Sequence, residues 1–411
     1  MSKVLKLVGK IILVLVAVLV IFFIGIKIYF AANSGDDELL DNSHLIFETI
    51  NIADEKNGWF ELKKAEEKMY FPEDKSELIN KLINGENWDQ EIVDELAEKN
   101  LISLEYFKKS AEYEFIADPL KNNLSTMDLN PRTVLSSMAF YRNLNRLNLI
   151  LAKDEIKKGN FKSGIDRFIL SVEVANKIKD SSLTPIDYLM VLSVNNHNRL
   201  IISSVVSELA FRKDESILLQ KELDKNKKNK ESLANAFKSE FWNMKNGFMY
   251  INFEDLSVAE KEFIDSHFSE KGNFYLKPNK HVNALNDLYT RNIENSYKGC
   301  NDLVPFDESN HFEYSNPISL IFTENAISKI LINMMDINWD SLQKKRCMED
   351  FDIIDLQVKL ASNAYKNDFK KYPLNIEEMM GAGYLVVKIP ENINGWNVTY
   401  NKETGELETP K

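Results

Sequence analysis

Residues 130–172 read NPRTVLSSMAFYRNLNRLNLILAKDEIKKGNFKSGIDRFILSV. Asn130-Pro131 is a helix start, an amide able to cap followed by a proline whose missing N–H is harmless in the first turn. Leu135, Met138, Tyr141, Leu144, Leu147 and Leu151 then recur every three or four positions, which draws one apolar stripe along a helix. Gly159-Asn160 breaks the pattern, and a second stripe of Ile165, Phe168, Ile169 and Val172 begins at once. Two amphipathic helices joined by so short a turn must pack antiparallel. Thr184-Pro185 repeats the start signal and opens a third long helix reaching about Arg212. Residues 131–212 are therefore expected to form the helical-hairpin core of a mainly α protein.

Outward from this block the helical reading continues. On the amino-terminal side the pattern is helical over Leu45–Met69, with an interruption at Lys56-Asn57-Gly58, and stops at Phe71-Pro72. Helices are expected at Lys75–Asn84 and Asp89–Tyr113, divided by the Asn84-Gly85 turn. On the other side Lys221–Lys230 reads as a solvated linker or frayed helix end, and 231–245 as a helix. Residues 246–317 are the least periodic part, and helices resume at Ile318–Met335 and Glu349–Phe369. The end of the chain, 349–411, is read as a small α+β unit. It has a short helix at Ile376–Met380, strands at Tyr384–Ile389 and Trp396–Tyr400, and a turn at Lys402–Gly405 before a last short strand.

The opposite end is of another kind. Ile11–Ala32, IILVLVAVLVIFFIGIKIYFAA, carries no charge before Lys27, and about 20 mostly apolar residues suffice to span a bilayer. Lys3, Lys6 and Lys10 precede the run and Asp36, Asp37 and Glu38 follow it, which orients residues 1–10 to the cytoplasm. Residues 33–44 then form a linker, and 45–348 an extracytoplasmic helical domain. A cleaved signal peptide is the alternative, but Tyr29 and Phe30 stand where small residues are needed. The formal net charge is −12, an acidic surface that repels phosphate backbones, so nucleic acid is not an expected partner. The membrane and other envelope proteins are.

Three likenesses bear on this layout. Lys158-Gly159-Asn160-Phe161-Lys162-Ser163-Gly164-Ile165 resembles the junction between the two helices of a tetratricopeptide repeat, with Gly164 at the position where that family packs a small residue; the likeness implies tight hairpin packing. The carboxyl-terminal run of Tyr372-Pro373, Ile376-Glu377-Glu378, Tyr384-Leu385, Ile389-Pro390, Asn394-Gly395 and Tyr400 resembles the globular end of type II secretion pseudopilins. It departs from them at Glu391-Asn392, where Asp-Pro is usual, and the amino terminus lacks the prepilin cleavage motif. Asn57-Gly58-Trp59-Phe60 and Asn160–Ile169 are similar to segments of a loose group of bacterial membrane-anchored proteins, a resemblance that implies architecture and no activity.

No stretch carries a catalytic constellation. His44, His197, His267, His281 and His311 are scattered without ligand spacing. The acidic loop around Asn57-Gly58 has Ala53 and Lys64 at the first and twelfth positions, which excludes an EF-hand. Neither a G-x-S-x-G elbow nor a phosphate-binding glycine loop occurs. Neither a cofactor nor a metal site is expected. Cys300 and Cys347 read as a disulfide or as two separately buried thiols. The polar anomaly is Asn195-Asn196-His197-Asn198-Arg199, set in an otherwise apolar helix. It reads either as a hydrogen-bonded network between helices or as the floor of a ligand cleft. The function expected is a membrane-anchored scaffold or protein-interaction module of the bacterial envelope without enzymatic activity. An envelope hydrolase with dispersed carboxylates and an accessory subunit of a secretion or pilus-like machine are the alternatives.

Overall fold

The computed structural model describes residues 21–22, 24–29, 32, 35–47, 52–83, 88–119, 131–208, 211–225, 231–249, 277–304, 324–393 and 395–408. The chain forms two compact units, one of residues 46–243, 290–305 and 339–411, the other of 1–45, 244–289 and 306–338. Its helices are α1 (Trp59–Lys68), α2 (Ser76–Ile83), α3 (Gln90–Lys99), α4 (Leu101–Ser110), α5 (Pro131–Lys157), α6 (Phe161–Asp180), α7 (Pro185–Glu208) and α8 (Lys213–Lys225). After them come α9 (Glu231–Met249), α10 (Pro278–Tyr297), α11 (Ala326–Phe369) and α12 (Ile376–Gly381).

The larger unit is organised on the α5–α6 hairpin. Gly159 takes a positive φ of 86°, a turn conformation open to glycine. Gly164 then lies so close to α5 that a Cβ there would stand 2.3 Å from Ile156 Cγ1 and 2.7 Å from the Ala152 carbonyl oxygen. Tyr141, Leu144, Leu147 and Leu151 are buried, as are Ile165, Phe168 and Val172; the side chains of Leu135 and Met138 lie outside the described residues. Thr184 caps α7 as its sequence suggests, with its hydroxyl accepting from the Asp187 N–H at 3.1 Å. Ahead of the hairpin, Asn57 is buried, and its side chain accepts from the N–H groups of Trp59 (3.1 Å) and Ala117 (3.0 Å) while donating to the Ala117 carbonyl (2.8 Å). Gly58 N–H donates to the Phe115 carbonyl at 2.8 Å. This motif is thus a clamp holding the start of α1 against the segment after α4.

Several sequence expectations need correction. The helix expected over Leu45–Met69 is regular from Trp59, preceded by 3-10 turns at Ser43–Leu45 and Asp54–Lys56. That expected over Asp89–Tyr113 is broken at Asn100, whose buried amide is bonded to the Tyr70 backbone N–H (2.8 Å) and carbonyl (2.9 Å). Of Lys221–Lys230, read as a linker or a frayed helix end, residues 221–225 are the end of α8 and 226–230 lie outside the described residues. The aperiodic segment 246–317 contains α10, and the two helices expected at Ile318–Met335 and Glu349–Phe369 are joined from Ala326 onward as one, α11, while residues 318–323 lie outside the described residues.

At the carboxyl end a separate apolar cluster joins Phe351, Ile354, Val358, Ala361 and Tyr365 of α11 to Met379, Tyr384, Leu385, Val387, Ile393 and Leu407. The β elements are two short antiparallel pairs. Asn392–Ile393 (β1) pairs with Trp396–Asn397 (β2), and Tyr400–Asn401 (β3) with Glu406–Leu407 (β4). Gly395 (φ 96°) and Gly405 (φ 77°) make the turns. Tyr384–Ile389 is not a strand, although burial alternates from Leu385 to Lys388. Its backbone is met instead by the Gln220 side chain, which donates to the Tyr384 carbonyl (2.8 Å) and accepts from the Val386 N–H (3.2 Å).

In the smaller unit, part of the sequence read as a linker is held by the start of α10. The Asp36 carboxylate accepts from the Asn279 and Lys280 N–H groups at 2.8 and 3.0 Å, supplying acceptors to the free end of the helix. Asn283 accepts from the Leu40 N–H and donates to the Glu38 carbonyl. The buried His281 lies 2.7 Å from the Ser328 hydroxyl. Of the expected membrane helix Ile11–Ala32, residues 21–22, 24–29 and 32 are described and helical; the rest lies outside the described residues. Among these, no helix is long and apolar enough to cross a membrane.

Candidate functional site

A cleft of 1440 Å³ lies in the larger unit, bounded by α4 on one side and the α5–α6 hairpin on the other. The α6 wall is a single helical stripe of Lys162, Asp166, Ile169, Leu170, Glu173 and Lys177, the spacing that keeps residues on one face. Facing it from α4 and the residues after it are Leu101, Leu104, Glu105, Lys108 and Glu112. Leu101 is 62% exposed. Lys177 closes one end by donating to the carbonyls of Ala111 and Tyr113 (2.7 Å), which follow α4. The opposite end is the Gly159-Asn160 turn.

The charges on these walls are unevenly paired. Lys158 is bound to Asp154 (2.7 Å) and Lys177 to Glu173 (2.9 Å). Arg167 is half-buried in the wall, where desolvation depresses the pKa of its guanidinium, and it donates to Asn148 Oδ1 at 3.0 Å. Among the described residues Glu105, Lys108, Glu112, Lys162, Asp166 and Arg167 are in none of the observed ion pairs, which leaves both signs of charge available to a bound partner. The walls thus combine the apolar side chains of Leu101, Leu104, Ile169 and Leu170 with charged residues of both signs.

The polar stretch 195–199 lies elsewhere. Asn195, Asn198 and Arg199 are buried, Asn196 is exposed and His197 is half-buried. Asn195 donates to Glu349 Oε1 at 3.2 Å, and Arg199 sits 3.5 Å from Glu349 and 3.4 Å from Asp352. Lys179 adds a second cation 3.4 Å from the same Glu349 carboxylate. Asn198 accepts from Asn145 at 2.7 Å and donates to the Ser171 carbonyl at 3.4 Å. Burial works to raise the pKa of Glu349, but Lys179 and Arg199 outweigh it and hold the carboxyl below its ordinary range. Asp352 moves the other way, raised by desolvation that its partner Arg199 only partly offsets. The space among these side chains is about 10 Å³, no more than one water needs. The cluster therefore ties α6, α7 and α11 together and has no room for a ligand.

Glu349 and Lys179 were not among the residues singled out by sequence. Their signal was present: Glu349 falls one turn before Ile353, in phase with the buried Leu356 and Leu360, and a carboxylate on a buried stripe requires an internal cation. Cys300 and Cys347 are joined as a disulfide, with Cα atoms 5.5 Å apart. Beside it Arg346 donates to the carbonyl of Lys298 at 2.7 Å, the cation meeting the carboxyl end of α10. Among the described residues, no group of three or more His, Cys, Asp and Glu side chains is placed to hold a metal ion; His267 and His311 lie outside them. Compared with known protein families, curated proteins and solved structures, the chain matches none.

Proposed function

We propose that this chain is a membrane-tethered protein-interaction module of the bacterial envelope, and that its cleft receives an amphipathic helical segment of a partner protein. The observation that carries the reading is the cleft with its two facing helical stripes. Lys162 to Lys177 runs about 22 Å at 1.5 Å per residue, room for a helix of about four turns. Leu101, Leu104, Ile169 and Leu170 meet the partner's apolar face, in the helix-in-groove mode. The partner carries acidic groups opposite Lys162 and Arg167 and basic groups opposite Glu105 and Glu112, because those four are in none of the ion pairs observed among the described residues.

Two further features support the tether and the compartment. Ile21, Ile24 and Ile28 lie in described helical residues and are 70%, 51% and 63% exposed, apolar surface suited to lipid. The Cys300–Cys347 bridge fits an oxidising compartment. The test is site-specific photo-crosslinking of the full chain in its native membrane. A crosslinker at Leu101 captures a protein that one at Leu218, exposed on α8 away from the cleft, does not, and Ile169→Glu abolishes the capture. Equal capture at both positions, or capture that survives Ile169→Glu, overturns the reading.

A further inference from the structure

Arg142 and Arg146 stand one turn apart on α5. The 2.7 Å hydrogen bond from Asn145 to Asn198 joins α5 to α7 at the positions next to Arg146 and His197. Neither arginine nor His197 lines the cleft. Arg142 is exposed, and Arg146 and His197 are half-buried. The Nε of Arg146 is enclosed and meets no acceptor.

What distinguishes the place is its sign. The chain has 63 acidic and 51 basic residues, yet the charge acting on Arg146 is that of Arg142, and those acting on His197 are Arg146 and Arg142. Among the described residues no carboxylate answers them. Burial first, and the two arginines second, hold the His197 imidazole below its ordinary pKa. Like charges gathered at a half-buried spot repel one another and lose hydration, which favours an anion that neutralises both effects.

We propose that Arg142, Arg146 and His197 form a binding site for a phosphate-type oxyanion. The guanidinium fork of Arg146 matches two oxygens of such a group, Arg142 supplies a second cation from the rim, and the imidazole donates from α7. The group is either free phosphate or the phosphate of a lipid headgroup, since the recognising chemistry is the same.

The experiment follows His197 by NMR in the detergent-solubilised full chain with labelled histidine, assigned through His197→Gln. Millimolar inorganic phosphate raises the His197 pKa by about one unit, because a bound anion favours the imidazolium. Arg146→Gln abolishes this response. The exposed Arg142→Gln, which leaves packing intact, weakens phosphate binding roughly tenfold. A response to phosphatidylglycerol vesicles and none to phosphate or to phosphatidylcholine vesicles assigns the site to a headgroup. A His197 pKa indifferent to phosphate and to anionic vesicles alike overturns the proposal, as does a phosphate response unchanged in both arginine variants.

Discussion

The Glu349 carboxylate lies 3.4 Å from the Lys179 ammonium across 170 positions of sequence, with both side chains nearly excluded from solvent. Arg199 approaches the same carboxylate and then Asp352, so two cations and two anions share one buried site. Taking ions out of water is so unfavourable that a buried pair contributes little net stability. Removing one partner is nevertheless severe, because the other charge stays buried.

Glu349→Gln is accordingly expected to destabilise the fold by about 3–5 kcal/mol, read as a lowered denaturation midpoint. Lys179→Gln added to it restores much of the loss, since Arg199 keeps Asp352 and no charge is left alone. The coupling between the two substitutions is expected at about 1–3 kcal/mol. Additive effects would show that the cluster is not a unit. The folded pKa of Glu349 is depressed, so its contribution is present above the ordinary carboxyl pKa and is lost as pH falls through the folded value.

Gly164→Ala tests the α5–α6 packing. Alanine is better than glycine in a helix by about 1 kcal/mol, which alone would stabilise. The added Cβ would stand 2.7 Å from the Ala152 carbonyl, on backbone that cannot yield as a side chain does. Overpacking of this kind costs about 1–3 kcal/mol, so the net change is a loss. A melting temperature at or above that of the unsubstituted chain would show that the hairpin is less tightly seated.

Asn57→Ala removes three hydrogen bonds and leaves the Ala117 N–H and carbonyl without their partner. A loss of roughly 2–4 kcal/mol is expected from buried groups left unsatisfied. Hydrogen exchange at Ala117 and Trp59 should rise with it, and unchanged protection there would contradict the clamp.

What could be read from sequence, and what could not, divides along the chemistry of the buried faces. The α5–α6 hairpin was legible because its inward positions are Tyr141, Leu144, Leu147, Ile165 and Phe168. Helix α10 hid in a stretch without visible period because its buried stripe begins as Val282, Leu285 and Tyr289 and continues as Asn292 and Ser296. Those last two accept from and lie beside the Gln343 amide. The same substitution of amide and charge for aliphatic residues, at Gln343, Arg346 and Glu349, made α11 look like two helices. In α8, Ser216 and Gln220 occupy core positions, and the Gln220 amide takes the place of a neighbouring strand beside Tyr384. Polar residues that bury because a distant partner meets them interrupt the apolar period, and they can be found only where they stand in phase with a neighbouring aliphatic stripe, as Glu349 does with Ile353 and Leu356. The cleft was illegible for a related reason, since it depends on where α4 lies against α6.

Glu240 gives the last prediction, and its sign is opposite to that of Glu349. Its stem is partly exposed, but its Oε2 is enclosed and meets no hydrogen-bond partner. Desolvation, with the Asp187 carboxylate adding to it, pushes the pKa up to about 8. The folded protein therefore holds a proton that the unfolded chain releases near the ordinary value of 4.5. Where the folded state binds more protons, stability falls as pH rises. The contribution is fullest below the unfolded pKa, declines through the interval between the two values and is gone above the folded one. Glu240→Gln keeps the shape and removes the titration, so the stability difference between variant and unsubstituted chain should widen steadily in the variant's favour from about pH 5 to about pH 8 and then level off. Because both proteins share every other titrating group, thermal denaturation across that range isolates the one carboxyl. Parallel curves would mean that Glu240 ionises in the fold as freely as in water, and that water reaches its enclosed oxygen.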